Sequence, residues 1–161
     1  MSALILKGKL VADSIKKDLE KDLIKLKENG VVPKLVAILI GDDPASEIYV
    51  KSKHSTFLKN NCLSDILRFP ANTSEDTLLK IIKKLNSDDS VHGILLQLPL
   101  PKHIDPNFVL NKINPLKDVD GFHPENLGLL LQGNPRFIPC TPYGCLKILE
   151  FYDISVNSKH V

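Results

Sequence analysis

The stretch 34-KLVAILI-40 is a nearly continuous apolar run, too short for a helix and flanked by Pro33 and Gly41. Such a run between breakers reads as a strand buried on both faces, which implies a parallel sheet covered by helices. The next residues, 42-DDPASEIYVKSKHSTFLKNN-61, agree with that reading. Asp43 is a good N-cap, Pro44 fits the first helical position, and Val50 and Phe57, seven apart, fall on one helical face. A helix therefore starts just beyond the strand's carboxyl end.

The pattern then repeats. A short strand is expected at 65-DILRFP-70, a helix from Ser74 through Leu85 on Leu78, Leu79, Ile82 and Leu85, and a further strand at 91-VHGILLQL-98. Strand and helix alternate in units of about 30 residues, as crossovers in a parallel α/β sheet require. The expected fold class is α/β, a three-layer parallel sheet flanked by helices. Upstream, Val11, Ile15, Leu19, Leu23 and Leu26 form one stripe of an amphipathic helix from Val11 to Lys27, ended at Asn29-Gly30. Downstream, the spacing predicts a helix from Pro106 to Ile113, a loop over 117-KDVDGFHPEN-126, and a last helix capped by Thr141-Pro142 and running through Phe151. The residues 159-KHV-161 read as the start of another strand.

The 161 residues are 43% hydrophobic and 25% charged, a composition that supports one domain with a sizeable core. The 21 basic and 19 acidic residues are well mixed, so the basic stripe that a phosphate backbone demands is missing and nucleic acid is not the expected partner. The lysines between Lys7 and Lys27 alternate with Asp18, Glu20 and Asp22 and read as a solvated helix face. No apolar run approaches the roughly 18 residues that span a bilayer, and the N-terminus MSALILKGKL does not read as a signal peptide. Cys62, Cys140 and Cys145 have no zinc spacing, and His92, His103 and His123 suggest no metal site. Three buried thiols in a reduced, cytoplasmic protein are the expectation.

Ligands of open parallel sheets bind at the carboxyl ends of the strands. Three features converge there: Tyr49 and Lys53, four apart on one helix face; Gln97 at the end of its strand; and Asp118 and Asp120 before Gly121. A lysine acts as a base at neutral pH only where its ammonium is destabilised, for which desolvation is the better candidate here. A carboxamide such as Gln97 can hold that lysine without the negative charge that would fix its proton. Tyr49 offers a flat face for a ring and a hydroxyl for a proton relay. Asp120 can accept paired N–H donors, as from an aminopyrimidine. Plainer readings stand beside these: a half-buried tyrosine with a solvated lysine, a glutamine that caps a strand end, and a pair of aspartates that form a turn. The residues alone reach a small-molecule site with a candidate lysine base.

Four motifs occur in series: 44-PASEIYVKSK-53, 93-GILLQLPLP-101, 117-KDVDGFHPENLG-128 and 138-IPCTPYGCLKIL-149. Together they resemble the bifunctional methylenetetrahydrofolate dehydrogenase/methenyltetrahydrofolate cyclohydrolase family, and the likeness covers essentially the whole chain. The resemblance implies that Lys53 is the catalytic, proton-transferring lysine and that Tyr49 stacks on the folate and assists it. It implies that Gln97 bonds the lysine and tunes its protonation, and that Asp120 grips the pterin ring. It further implies oxidation of methylenetetrahydrofolate with NADP (sometimes NAD), hydrolysis of the methenyl product to formyltetrahydrofolate for purine synthesis, and a cytoplasmic homodimer. On this likeness residues 1–139 are the tetrahydrofolate-binding catalytic domain, and residues 140–161 are a linker helix and the first residues of a Rossmann-type NADP-binding domain. The NADP site itself is expected outside these 161 residues. Three readings stay open: the folate half of a bifunctional enzyme, a stand-alone cyclohydrolase or folate-binding module, and an inactive remnant.

Overall fold

The computed structural model describes residues 3–159. Nine elements follow one another: α1 (Gly8–Glu28), β1 (Lys34–Ile40), α2 (Pro44–Lys59), β2 (Leu63–Phe69), α3 (Glu75–Asn86), β3 (Gly93–Leu96), α4 (Pro106–Leu110), α5 (Pro124–Leu131) and α6 (Cys140–Phe151). They fall into two compact units, one of residues 31–138 and a smaller one of residues 1–30 with 139–161.

The larger unit carries the expected three-layer α/β fold. Its sheet has the order β2-β1-β3, all parallel, with Lys34 opposite Leu63 and Leu35 opposite Gly93. Because side chains alternate along a strand, β1 feeds two cores. Val36, Ile38 and Ile40 pack with Ile94 and Leu96 against Leu78, Ile82 and Leu85 of α3 and Val109 of α4. Leu35 and Ala37 pack with Leu95 against Val50 of α2. Local chemistry sets the helix starts. The Asp43 carboxylate accepts the Ser46 amide at 2.7 Å with Pro44 in the first turn, and the Ser74 hydroxyl accepts the Thr77 amide at 3.3 Å.

Several boundaries move. β2 begins at Leu63, two residues before the expected start, because its ladder to β1 runs from Lys34 onward. β3 is confined to 93–96, so Gln97 lies one residue past it, although the Gln97 amide still donates to the Ile38 carbonyl at 3.0 Å. α4 ends at Leu110 rather than Ile113. The Lys112 and Ile113 amides bond three residues back, to Val109 and Leu110, and Pro115 follows closely. α5 occupies part of the stretch expected as loop: the His123 ring nitrogen Nδ1 accepts the Glu125 amide at 3.1 Å, and Pro124 opens the helix.

The smaller unit is built from α1 and α6. α1 covers the expected span, yet of its apolar stripe only Val11 is buried; Ile15, Leu19 and Leu26 are exposed. A two-helix unit offers α1 a single partner helix, too little to cover a whole stripe. Pro139, not Thr141, is the N-cap of α6, which places Thr141 in its first turn with no side-chain cap. Cys62 is buried, and burial raises its thiol pKa; Cys140 and Cys145 are exposed, contrary to expectation, because α6 buries none of its residues. The residues His160 and Val161, part of the expected further strand, lie outside those described.

Gly93 sets how closely the 117–120 segment approaches β3. A Cβ there would stand 2.5 Å from Cγ1 of Val119 and 3.4 Å from Leu35. Valine is short and stiff at χ1, so it cannot turn aside cheaply. Gly93→Ala is expected to cost about 1–3 kcal/mol, the range for overpacking. Urea unfolding of the variant measures the loss; an unchanged midpoint would show that Val119 yields freely.

Candidate functional site

The β1–α2 connection places the first pair of candidate residues. α2 starts four residues after β1 ends, so its first turns rise directly over the sheet's carboxyl edge. Tyr49 is 63% exposed, leaving its ring face open to a ligand, while Lys53, one turn on, is half-buried. Ser46, on the preceding turn, is buried and sends its hydroxyl to the Leu98 carbonyl at 3.4 Å, which ties α2 to the chain leaving β3.

Gln97 shares that carbonyl. Its Nε2 donates to Leu98 O at 2.7 Å, and the Leu98-Pro99 peptide bond is cis. With the nitrogen committed, the carboxamide oxygen is the end left to accept a bond. No direct hydrogen bond links Gln97 to Lys53 among the described residues.

Asp120 arrives on the segment beside β3. The 117–118 segment runs parallel to β3, with the Ile94 amide donating to the Lys117 carbonyl at 2.7 Å and a bridge from Ile94 to Asp118. The chain turns at Gly121, whose φ of +69° suits glycine and whose amide bonds the Asp118 carbonyl at 3.2 Å. Asp120 is half-buried, and its carboxyl pKa lies above the ordinary range. Burial is the main cause; attraction to Lys53 opposes it and repulsion by Asp118 adds to it. No ion pair closes between Lys53 and Asp120 among the described residues. Tyr49, Lys53, Gln97 and Asp120 all belong to the larger compact unit.

Around this group lie contacts that the sequence reading missed. Asp118 is 3% exposed and accepts the His123 amide and the Asn126 side-chain amide, each at 2.8 Å. Fully buried Asn126 also donates to the Pro115 carbonyl at 2.9 Å and accepts from Arg136 at 2.9 Å. The Lys117 ammonium donates to the carbonyls of Leu85, Asn86 and Asp88 at 2.8–2.9 Å, closing the end of α3. The basic residue before the aspartates was the one available signal. The three histidines have structural partners: His92 accepts the Lys34 amide, His103 bonds the Thr73 carbonyl, and His123 caps α5.

Beside the site, Glu47 on α2 is held by Arg68 of β2 (2.9 Å) and Lys51 (3.1 Å), and these partners lower its carboxyl pKa to about 2. An acid with a depressed folded pKa stabilises the fold above its unfolded value, near 4.5, and loses that contribution as pH falls toward 2. Thermal melts of the wild type and Glu47→Gln should differ at pH 7 and converge between pH 4.5 and 2. The gap at neutral pH should be small, since exposed pairs are screened by solvent. A gap that is constant with pH would mean the ion pairs contribute nothing.

The residues present do not fit a dinucleotide. The N-terminus of α2 is filled by the Asp43 carboxylate, and that of α3 by Ser74 with Glu75 and Asp76 behind it. The N-terminus of α4, which follows β3, holds the Asp105 carboxylate, so none of the three helix ends that follow strands is open to a pyrophosphate, which wants free amides and a glycine-rich turn. Among the described residues no helix is long and apolar enough to cross a membrane.

The model of the tetrahydrofolate dehydrogenase/cyclohydrolase catalytic domain matches residues 6–120. The Bifunctional protein FolD of Bacillus cytotoxicus is 45% identical over 161 residues, all of this chain and 56% of that protein. The one from Oceanobacillus iheyensis is 47% identical over 98% of this chain and 55% of its own length. The chain thus spans about half the length of the curated relatives it matches. The crystal structure of the bifunctional enzyme FolD from Campylobacter jejuni superposes with a TM-score of 0.90 at 44% identity, over 95% of this chain and 55% of that one. The Trypanosoma brucei methylenetetrahydrofolate dehydrogenase-cyclohydrolase, complexed with NADP cofactor and inhibitor, gives a TM-score of 0.91 at 32% identity, over 97% and 54%. Family model, sequence relatives and fold agree, and the chain belongs to the tetrahydrofolate dehydrogenase/cyclohydrolase family through its catalytic domain.

Proposed function

We propose that this chain carries the folate site of an enzyme that oxidises 5,10-methylenetetrahydrofolate to the methenyl cation with NADP and hydrolyses that cation to 10-formyltetrahydrofolate. The observation that carries the reading is the gathering of the candidate residues around the sheet: α2 starts just past β1 and carries Tyr49 and half-buried Lys53, Ser46 and Gln97 meet at the Leu98 carbonyl, and half-buried Asp120 lies on the segment bridged to β3 at Ile94. Half-buried polar groups without an ion pair or hydrogen bond among the described residues suit a ligand that satisfies them.

In this reading the aminopyrimidine edge of the pterin gives its paired N–H donors to Asp120, and the open ring of Tyr49 lies against the folate. Water adds to the one-carbon centre as one of its protons passes to the free amine of Lys53; the hydroxyl then gives up its remaining proton and becomes the formyl C=O as the bond from that carbon to the ring nitrogen breaks, and this nitrogen takes up one proton while the other is released. The Gln97 carboxamide oxygen accepts a hydrogen from Lys53 once substrate draws the two together. NADP, which supplies hydride acceptance in the oxidation, is assigned to a part of a longer protein, because the helix ends here do not fit it. The division into residues 1–139 and a linker helix from residue 140, a cytoplasmic homodimer, and the supply of formyl groups to purine synthesis are inferred from the family likeness.

The site residues all lie in one unit, which also favours a second reading, that the chain hydrolyses methenyltetrahydrofolate by itself. The test is the loss of methenyltetrahydrofolate absorbance on adding the purified chain without dinucleotide. A rate above the buffer blank supports a self-sufficient cyclohydrolase. If the folded chain gives neither a rate nor any binding of tetrahydrofolate, the folate reading fails for this chain.

A further inference from the structure

The aspartate pair before Gly121 divides its labour. Asp120 is half-buried and free of any hydrogen bond among the described residues, while Asp118, two residues earlier, is buried and bonded through its Oδ2. A buried carboxylate costs several kcal/mol unless its oxygens are bonded. Here one Asp118 oxygen receives both the His123 backbone amide and the Asn126 side-chain amide. Asn126 is itself saturated, bonded to Pro115 O by the same nitrogen and to Arg136 by its oxygen. The two residues thus lock together the start of the turn, the chain before it and the first turn of α5. On the other side, Lys117 fastens the same segment to the end of α3. Asp120 sits on the short span between these anchors.

We propose that Asn126 and Asp118 are positioning residues whose buried hydrogen bond holds the 118–121 turn and so keeps the Asp120 carboxylate in place beside β3. The folate half of this inference rests on the proposed function; the geometric half does not. If the Asn126 side chain is cut back, Asp118 loses a donor, the turn loosens and Asp120 moves toward water. Burial then no longer lifts its carboxyl, and its geometry toward a pterin is lost.

The experiment compares the full 161-residue chain with Asn126→Ala and Asn126→Ser. The serine variant keeps one donor toward Asp118 and carries the test if the alanine variant does not fold. Two readouts are taken on folded protein: the Asp120 carboxyl titration by NMR, and the dissociation constant for tetrahydrofolate by calorimetry. Asp120 is expected to titrate nearer the ordinary carboxylate range in both variants, with the serine change smaller. Tetrahydrofolate should bind about tenfold more weakly to Asn126→Ala, the scale of one displaced charge-assisted hydrogen bond. A lower melting temperature with the Asp120 titration and the affinity both unchanged overturns the proposal, because a purely structural residue would give that result. If the wild-type chain fails to bind tetrahydrofolate while the Asp120 titration still shifts in the variants, the positioning role stands and the folate reading falls.

Discussion

Lys53→Met is expected to lower methenyltetrahydrofolate hydrolysis by about 10²- to 10⁴-fold, the usual contribution of one positioned acid–base group. Methionine keeps a long, flexible apolar side chain and removes the ammonium. The half-buried slot stays filled, so folate binding should change little and the loss should fall on turnover. Single-turnover absorbance decay beside calorimetric binding separates the two. Near-normal turnover in a folded variant would remove Lys53 from the chemistry and leave Asp120 or Tyr49 as the group to test.

Asp120→Ala should show the opposite split. Without a carboxylate to take the paired N–H donors, folate binding is expected to weaken by roughly 10²-fold, since a hydrogen bond to a charged group contributes about 1.5–3 kcal/mol. The free protein should respond the other way. Burial raises the Asp120 carboxyl, so folding has to desolvate its charge, and this penalty is absent at low pH and grows as pH rises through the folded pKa. Alanine has no charge to desolvate. The variant should therefore melt above the wild type at pH 7 and lose that advantage as the medium is acidified below the ordinary carboxylate range. A binding loss smaller than that of Lys53→Met would reverse the roles given to the two residues. Lower stability at pH 7 would mean that Asp120 is held by bonds rather than poised for a ligand.

The parts of the fold legible in the sequence are those where local and tertiary signals coincide. β1 was bounded by Pro33 and Gly41, and its apolar run matches a strand covered on both faces. α2 and α3 declared themselves through Asp43-Pro44 and Ser74, side chains that do cap those helices. α5 was missed because its cap is an imidazole, an uncommon choice, and because Gly128 interrupts its apolar pattern. The stripe on α1 was read correctly as helical, yet amphipathicity says which face is apolar and not what covers it. At the site, the i,i+4 spacing placed Tyr49 and Lys53 on one face because helix geometry alone fixes it. The Gln97 and Asp118 contacts were not legible. Gln97 turns to its neighbour's carbonyl and Asp118 to a residue eight positions on, choices made by three-dimensional proximity.

The central place of β1 also sets an order of assembly. Its first edge is completed by β2, whose residues follow soon after in the chain, but its second edge waits for β3, with Leu35 paired to Gly93. The Asp120 segment then hooks onto β3 through Ile94, so it cannot find its place before that pairing exists. Non-local parallel pairing is slow, because the intervening loop must close before any contact rewards it. While the chain emerges from the ribosome, the Leu35–Ile38 edge is a row of unpaired amides and carbonyls on a strand that is apolar from Leu35 to Ile40, able to join the edge of another chain. On this order the ligand site is the last part of the sheet to form, and a slower arrival of residues 93–96 lengthens the exposure of that edge.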